Sequence, residues 1–481
     1  MKDIVVNPYL PSYEYIPDGE PHVFGDRVYV YGSHDQFNGK SFCLLDYVCW
    51  SAPIDDLTNW KYEGVIYKRS QDPDGKKGTL RAMYAPDVVR GNDGKYYLYY
   101  FLAYHGLISV AKSDQPAGKY EFIGHVKYKD DILLGKKKEP LQFDPGVFKD
   151  DDGTIYLYTG FGPVHYPFFL LGNHHATKKG PMGFILDDDM LTIKERPTYI
   201  GVLGKQESKN TKYEGHAFFE ASSMRKFNNK YYFIYSSYNG HELCYATSDK
   251  PMSDFEYGGV LISNGDIGIH ANTIKDAKNI TGNNHGSLIK IKDKYYIFYH
   301  RHTNRNAFSR QACAEEISFA NGMFKQVEMT SCGLMNDKLL PGIGKYEARI
   351  ACQLYSLTKK MYFSGVIKKR KGNLPYFTQT GSDREDNPDQ YIANFSNDSV
   401  AVFKYFDIDT PTKLLLEYKG KASGNLDVYD INEELVSSLK IEESKVVKEI
   451  SSSLNIKPKK QLLKFVFKGQ GHFDFHSFTI E

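Results

Sequence analysis

Through the first two thirds of the chain, apolar and polar residues alternate in short runs bounded by Gly, Asp and Asn, the period-2 pattern of half-buried strands. One run recurs five times: Asp26-Arg27-Val28-Tyr29-Val30-Tyr31, Gly94-Lys95-Tyr96-Tyr97-Leu98-Tyr99, Gly153-Thr154-Ile155-Tyr156-Leu157-Tyr158, Asn229-Lys230-Tyr231-Tyr232-Phe233-Ile234-Tyr235 and Asp293-Lys294-Tyr295-Tyr296-Ile297-Phe298-Tyr299. The aligned tyrosines Tyr29, Tyr97, Tyr156, Tyr232 and Tyr296 lie 59 to 76 residues apart, room for one four-stranded blade with its loops. A second motif follows three of these runs at a similar offset. It reads Ser51-Ala52-Pro53 with Trp60-Lys61-Tyr62-Glu63-Gly64, Ser113-Asp114-Gln115-Pro116 with Tyr120-Glu121-Phe122-Ile123-Gly124, and Ser248-Asp249-Lys250-Pro251 with Phe255-Glu256-Tyr257-Gly258. No long stretch before residue 330 keeps the spacing of three to four residues that an amphipathic helix needs. The pattern predicts an all-β chain whose residues 1–332 form a five-bladed β-propeller.

The repeat stops after Ile317-Ser318-Phe319. The stretch from about Cys332 to Tyr346, with Gly333, Pro341, Gly342 and Gly344, reads as a linker or crossover. Beyond it come short alternating segments such as Ser399–Phe406, Leu414–Tyr418 and Leu463–Phe467, which predict a jelly-roll-like β-sandwich accessory domain over 333–481.

Composition adds one feature. Of the 481 residues 41% are hydrophobic and 25% charged, as in globular proteins, but 15% are aromatic, through 38 Tyr and 30 Phe. Aromatic side chains fill sheet cores and also stack on the apolar faces of sugar rings. Basic and acidic residues nearly balance, at a net charge of +2, and no basic patch of the kind that neutralises phosphates stands out; Lys136-Lys137-Lys138 and Lys368-Lys369-Arg370-Lys371 read as solvated loops, so no nucleic-acid partner is expected. No apolar leader or bilayer-length segment is present, which favours a cytoplasmic protein without a membrane partner. The six scattered cysteines, without CxxC spacing, read as buried free thiols. Lys149-Asp150-Asp151-Asp152-Gly153 reads as a hairpin turn, since it lacks the later bidentate Glu of a calcium loop.

Candidate chemistry lies 10 to 12 residues ahead of each aligned tyrosine, at Asp18, Asp87, Asp144, Glu220 and His285. The innermost strand of a propeller blade lines the central channel, so side chains in one phase of the repeat converge there. Crowded, desolvated carboxylates repel one another, which separates their pKa values. Acid–base hydrolysis needs that separation, with one carboxyl protonated and another ionised near neutral pH.

The local sequences around these positions, Ile16-Pro17-Asp18, Tyr84-Ala85-Pro86-Asp87, Phe143-Asp144-Pro145, Phe219-Glu220-Ala221-Ser222-Ser223 and Asn284-His285-Gly286-Ser287, in this order, resemble glycoside hydrolase family 43 over about residues 5–330. The resemblance implies a five-bladed propeller that hydrolyses arabinosides or xylosides with inversion. By position Asp18 matches the general base, Asp144 the carboxylate that orients the acid and raises its pKa, and Glu220 the general acid. Such an enzyme sets its acid and base on opposite faces of the sugar, with room for water between. The family usually shows Asp-Pro at the base, whereas this chain has Asp18-Gly19-Glu20-Pro21, which keeps Glu20 as the alternative.

By the same resemblance Asp87 anchors substrate or structure, and Arg310 reaches substrate hydroxyls or forms a salt bridge. His285 sits at the channel bottom, where it holds a calcium ion or a water cluster or is simply hydrogen-bonded core. Phe219 and Tyr84 stack on the sugar or pack in the core. The sequence assigns His34-Asp35 and His174-His175 no role beyond loop polarity. Tyr391-Ile392-Ala393-Asn394 and Phe403-Lys404-Tyr405-Phe406 resemble segments of a family 6 carbohydrate-binding module; a brace for the propeller or a homo-oligomer contact fits that domain equally. The expected function is inverting exo-hydrolysis of terminal arabinofuranosyl or xylosyl residues from oligosaccharides, with no cofactor required for the chemistry. Endo-arabinanase and a non-catalytic sugar-binding propeller are the alternatives.

Overall fold

Each Tyr-rich run forms the second strand of an antiparallel meander. In the computed structural model, which describes residues 6–76, 81–135, 139–163, 174–335, 339–363, 374–384 and 389–481, five such sheets follow one another along the chain. Blade 1 comprises Glu20–Phe24, Arg27–Tyr31, Tyr47–Pro53 and Lys61–Tyr67; blade 2 comprises Asp87–Arg90, Tyr96–Phe101, Ile108–Ser113 and Glu121–His125. Blade 3 runs through Gly146–Lys149, Ile155–Thr159, Met182–Leu186 and Thr198–Tyr199, and blade 4 through Phe218–Phe227, Lys230–Ser237, Glu242–Ser248 and Glu256–Ser263. Blade 5 has three strands, Leu288–Ile291, Lys294–His302 and Arg310–Ile317. The second sequence motif falls on the outer strands of blades 1, 2 and 4. The two lysine-rich runs, Lys136-Lys137-Lys138 and Lys368-Lys369-Arg370-Lys371, lie outside the described residues.

The tyrosines hold the ring together because a strand presents alternate residues to opposite faces. Tyr97 and Tyr99 pack with Val147 and Leu157 of blade 3, while Leu98 and Tyr100 pack with Tyr31 and Tyr47 of blade 1. The same division joins blade 3 to blade 4 through Tyr156, Tyr158, Phe233 and Tyr235. Blade 4 meets blade 5 through Tyr232, Ile234, Ile297 and Tyr299, and blade 5 meets blade 1 through Tyr296, Phe298, Val28 and Val30. The segment ahead of blade 1 fastens the closure: Asn7 Nδ2 donates to Ala314 O at 3.0 Å and to Glu315 Oε1 at 2.8 Å. All six cysteines are free and buried, as the spacing predicts.

Near the channel the blades approach closely. A Cβ on Gly146 would lie 2.1 Å from the carbonyl oxygen of Ser222 in the next blade, so only glycine fits there. Gly146→Ala is expected to destabilise the propeller by about 1–3 kcal/mol through overpacking, read as a lowered Tm.

Ten strands between Leu340 and Ile480 form one sheet that curls around its own core. Lys413–Tyr429 and Lys459–Ile480, 17 and 22 residues long, pair antiparallel along most of their length. Phe465, Phe475 and Phe478 of the longer strand pack with Phe403 in that core. The stretch read as a linker or crossover contributes to this domain: Leu340–Pro341 and Gly344–Glu347 are strands, and Tyr346 packs in the core. Polar contacts tie the domain to the propeller. Lys404 Nζ lies 2.7 Å from Glu328, and Arg301, stacked 3.9 Å over the Phe377 ring, donates from Nη1 to Arg349 O at 2.7 Å.

Candidate active site

The first strands of the blades lead to a cavity of about 420 Å³ at one end of the channel. Asp18, Asp144 and Glu220 line it together with His285 and Arg310, and Tyr84, Phe143, Phe161, Phe219 and Tyr238 supply much of its apolar wall. Register explains which upstream residues arrive there. Glu20 pairs with Tyr31, Gly146 with Tyr158 and Leu288 with Ile297. Continued toward the strand ends, these pairings set Asp18, Asp144 and His285 opposite Ser33, Gly160 and His300, each four residues after its aligned tyrosine. Glu220 faces Ser236, the same position in blade 4.

Asp87 departs from this phase. It pairs with Tyr99, only two residues after Tyr97, and so sits one step deeper in the channel. Its Oδ1 meets His22 Nε2 at 2.6 Å and accepts from Val88 N at 2.7 Å; Oδ2 accepts from Val147 N at 2.8 Å. Asp87 does not line the cavity, and its oxygens join blades 1, 2 and 3, a bracing place that matches the structural one of the two roles read from the sequence and not the substrate contact. Ala85 occupies the cavity position of blade 2.

Local backbone aims the three acids. Asp18 and Asp144 take left-handed conformations (φ 59° and 47°) just before their strands, which Asp adopts more readily than most residues other than glycine. Glu220 lies in a register shift, with Ala221 at φ 68°, a bulge that turns its side chain out of the regular alternation. Asp18 accepts from Arg310 Nη1 at 2.9 Å on Oδ1 and from Ser33 Oγ on Oδ2. Asp144 Oδ2 accepts from Ala221 N at 3.3 Å, which ties it to the residue after Glu220. The alternative base, Glu20, is placed below the cavity: its Oε2 accepts from Arg225 Nη2 at 2.7 Å and Ser223 Oγ at 2.9 Å.

Burial and mutual repulsion set the charges. Burial, and then the charge of Asp18, push the Glu220 carboxyl up to about 8, with Arg310 opposing. Burial also drives Asp144 well above the usual carboxylate range, followed by the charges of Glu220 and Asp18. The charge of Glu220 thus adds to the burial that holds the proton on Asp144. His285 is pushed down to about 4 by burial, so its ring is neutral at pH 7.

Phe219 and Tyr84 stand at the cavity wall, Phe219 edge-on to Tyr238 with centroids 5.6 Å apart. Phe42 and Cys43 from a blade 1 loop also line it, and the sequence offers no periodic signal for them. Phe143 and Phe161 flank blade 3 strands, where an aromatic residue reads equally as core.

His285 approaches Asp144 Oδ2 at 3.7 Å and Glu20 Oε1 at 3.9 Å, and that Glu20 oxygen is buried without a hydrogen-bond partner among the described residues. Calcium takes six to eight oxygens at about 2.3–2.6 Å. One open carboxylate oxygen beside a neutral imidazole suits a largely hydrated cation or a water cluster, in preference to a closed protein cage. Among the described residues the compact groups of metal-ligating side chains are Glu20 with His22 and Asp87, and His216 with Glu242 and Cys244; neither includes His285.

Comparison with known proteins matches residues 16–324 to glycosyl hydrolases family 43. The chain is 46% identical over 480 residues, covering 98% of each chain, to a xylosidase/arabinosidase of Thermoclostridium stercorarium. It is 31% identical over 61% of its length to a xylosidase/arabinosidase of Bacteroides ovatus, of which 87% is covered. A β-xylosidase/α-arabinofuranosidase from a compost microbial metagenome, solved with xylotriose in a calcium-free form, superposes with a TM-score of 0.50 at 28% identity, covering 66% of this chain and 96% of that one. A Bacillus subtilis arabinoxylan arabinofuranohydrolase structure covers 98% of the chain and is itself covered to 97%, at TM-score 0.50 and 20% identity, a likeness of fold through both domains. The five-bladed ring, the acids at one end of its channel and these matches converge: the chain belongs to glycoside hydrolase family 43 and is a glycoside hydrolase.

Proposed function

We propose that the chain removes terminal xylosyl or arabinofuranosyl residues from short oligosaccharides with inversion, Glu220 acting as general acid, Asp18 as general base and Asp144 as the carboxylate that keeps Glu220 protonated. The observation that carries this reading is a cavity in which one carboxyl, Glu220, is pushed up to about 8 while another, Asp18, receives an arginine and a serine donor. Those two donors fix the Asp18 carboxylate in place at the cavity wall, where an attacking water would sit. Asp18 Oδ1, held by Arg310, would take a proton from the attacking water, and Glu220 would deliver its proton to the leaving oxygen. The new C–O bond forms as the glycosidic bond breaks, so both groups act in a single step.

The cavity volume of about 420 Å³ lies toward the lower end of the roughly 300–1,000 Å³ range of small-molecule sites. That supports a short, chain-end substrate, and the wall of Tyr84, Phe143 and Phe219 offers apolar faces to sugar rings. The similar xylosidase/arabinosidases favour pentosides, and side-by-side assay of aryl xyloside, arabinofuranoside and galactoside tests the choice; preference for the galactoside would reject it. A cation or water cluster between Glu20 Oε1 and His285 would supply positive charge or hydrogen bonds beneath the acids and take no part in proton transfer.

The pH dependence follows with its sign. Turnover needs Glu220 protonated, so raising pH through about 8 removes the acid and kcat/KM falls on the alkaline side. A pH profile on an unactivated xylo-oligosaccharide checks this; an alkaline limb near 5 would contradict the assignment.

A further inference from the structure

We infer that Asp35, in the blade 1 loop that also carries Ser33, is a positioning residue that holds Arg310 against Asp18, and that the C-terminal domain secures the loop carrying it. This rests on the reading of Asp18 as the base. Asp35 is completely buried and does not line the cavity, so it cannot touch the sugar. Its Oδ2 accepts from Arg310 Nε at 2.8 Å and from the Arg310 backbone N at 3.1 Å. Its Oδ1 accepts from Arg310 Nη2 at 3.0 Å and from Cys43 N at 3.0 Å.

This is a two-pronged carboxylate–guanidinium pair, the geometry in which arginine is held most rigidly. With Nε and Nη2 committed to Asp35, the plane of the guanidinium is set and Nη1 points to Asp18 Oδ1, 2.9 Å away. A buried ion pair adds little net stability over a well-packed apolar substitute. What Asp35 supplies is orientation: without it, Arg310 would have one carboxylate instead of two and could turn toward the cavity, taking Asp18 with it.

The loop is anchored from outside by a segment of the C-terminal domain. Tyr15, whose carbonyl accepts from Asp35 N at 2.9 Å, donates its hydroxyl to Gln379 Oε1 at 2.5 Å. Phe37 N donates to Asp383 Oδ1 at 2.6 Å. Arg384 Nη1 bonds Glu14 and lies 3.0 Å from Nε2 of His34, the neighbour of Asp35. The loop on both sides of Asp35 is thus fastened to Gln379–Arg384, through the His34 ring and the Phe37 backbone, a path from the curled domain to the base that uses only direct contacts.

The test compares Asp35→Asn, Arg384→Ala and Asp18→Asn in the full-length protein, on an aryl pentoside with a good leaving group and on an unactivated xylo-oligosaccharide. A base acts in the single step whatever the leaving group. Asp35→Asn is expected to lower kcat about 100-fold, by the same factor on both substrates, with KM changed less than about 3-fold, as for an angstrom-scale misplacement of a catalytic group. Arg384→Ala should show the same leaving-group-independent loss at about 5-fold, an order of magnitude milder because it acts through one more contact. A folded Asp35→Asn enzyme with wild-type kcat, or one whose only change is a lower Tm, overturns the inference. Should Asp35→Asn fail to fold, Arg384→Ala decides by the same criterion. Unimpaired turnover by Asp18→Asn would instead reject the base assignment itself, a separate outcome.

Discussion

Glu220→Gln is expected to lower kcat on unactivated oligosaccharides about 1,000-fold while sparing aryl glycosides whose leaving group departs without a proton, within the roughly 10²–10⁴-fold range of general acid catalysis. The amide matches the carboxyl in shape, and Glu220 sits in a bulge where the backbone, not the side chain, sets direction, so the fold should persist. The split between substrates is the diagnostic. A residue that only bound sugar would, when changed, harm both substrate types alike. The alkaline limb of the pH profile should also vanish, because it reports the Glu220 proton, held up to about 8 chiefly by burial. Equal losses on both substrates, or unchanged turnover of an oligosaccharide by the folded variant, would falsify the acid assignment.

Asp18→Asn should abolish most turnover on every substrate, by about 10²–10⁴-fold, because no leaving group relieves the need to activate water. The comparison with Glu20→Gln carries the discrimination. Asp18 lines the cavity, whereas Glu20 accepts from Arg225 and Ser223 beneath it. Glu20→Gln would weaken a buried contact to Arg225, so its expected effect is a lower Tm with turnover largely retained. Measuring kcat and Tm for both variants separates the roles. The reverse pattern, an inactive Glu20→Gln and an active Asp18→Asn, would transfer the base to Glu20.

The period-2 runs and aligned tyrosines determined the propeller, because a blade is a local meander: hairpin neighbours in sequence are neighbours in space, and alternation assigns Tyr97 to one interface and Leu98 to the other. The candidate acids were legible for the same reason, since Asp18, Asp144 and Glu220 keep one phase relative to those tyrosines. Spacing alone could not show that Asp87, 10 residues ahead of Tyr97 where Asp144 and Glu220 stand 12 ahead of theirs, falls one pair deeper and is consumed by His22 and Val147. A shift of two residues keeps the face of a strand but changes its depth, and depth decides whether a carboxylate meets substrate or backbone. Only the tertiary structure could bring Asp35 to Arg310, 275 residues apart in sequence, or carry Asp383 of the C-terminal domain to Phe37. Those contacts join loops and domains through closure of the ring. No periodic pattern encodes them, because a loop residue's partner is set by where the packed elements end in space.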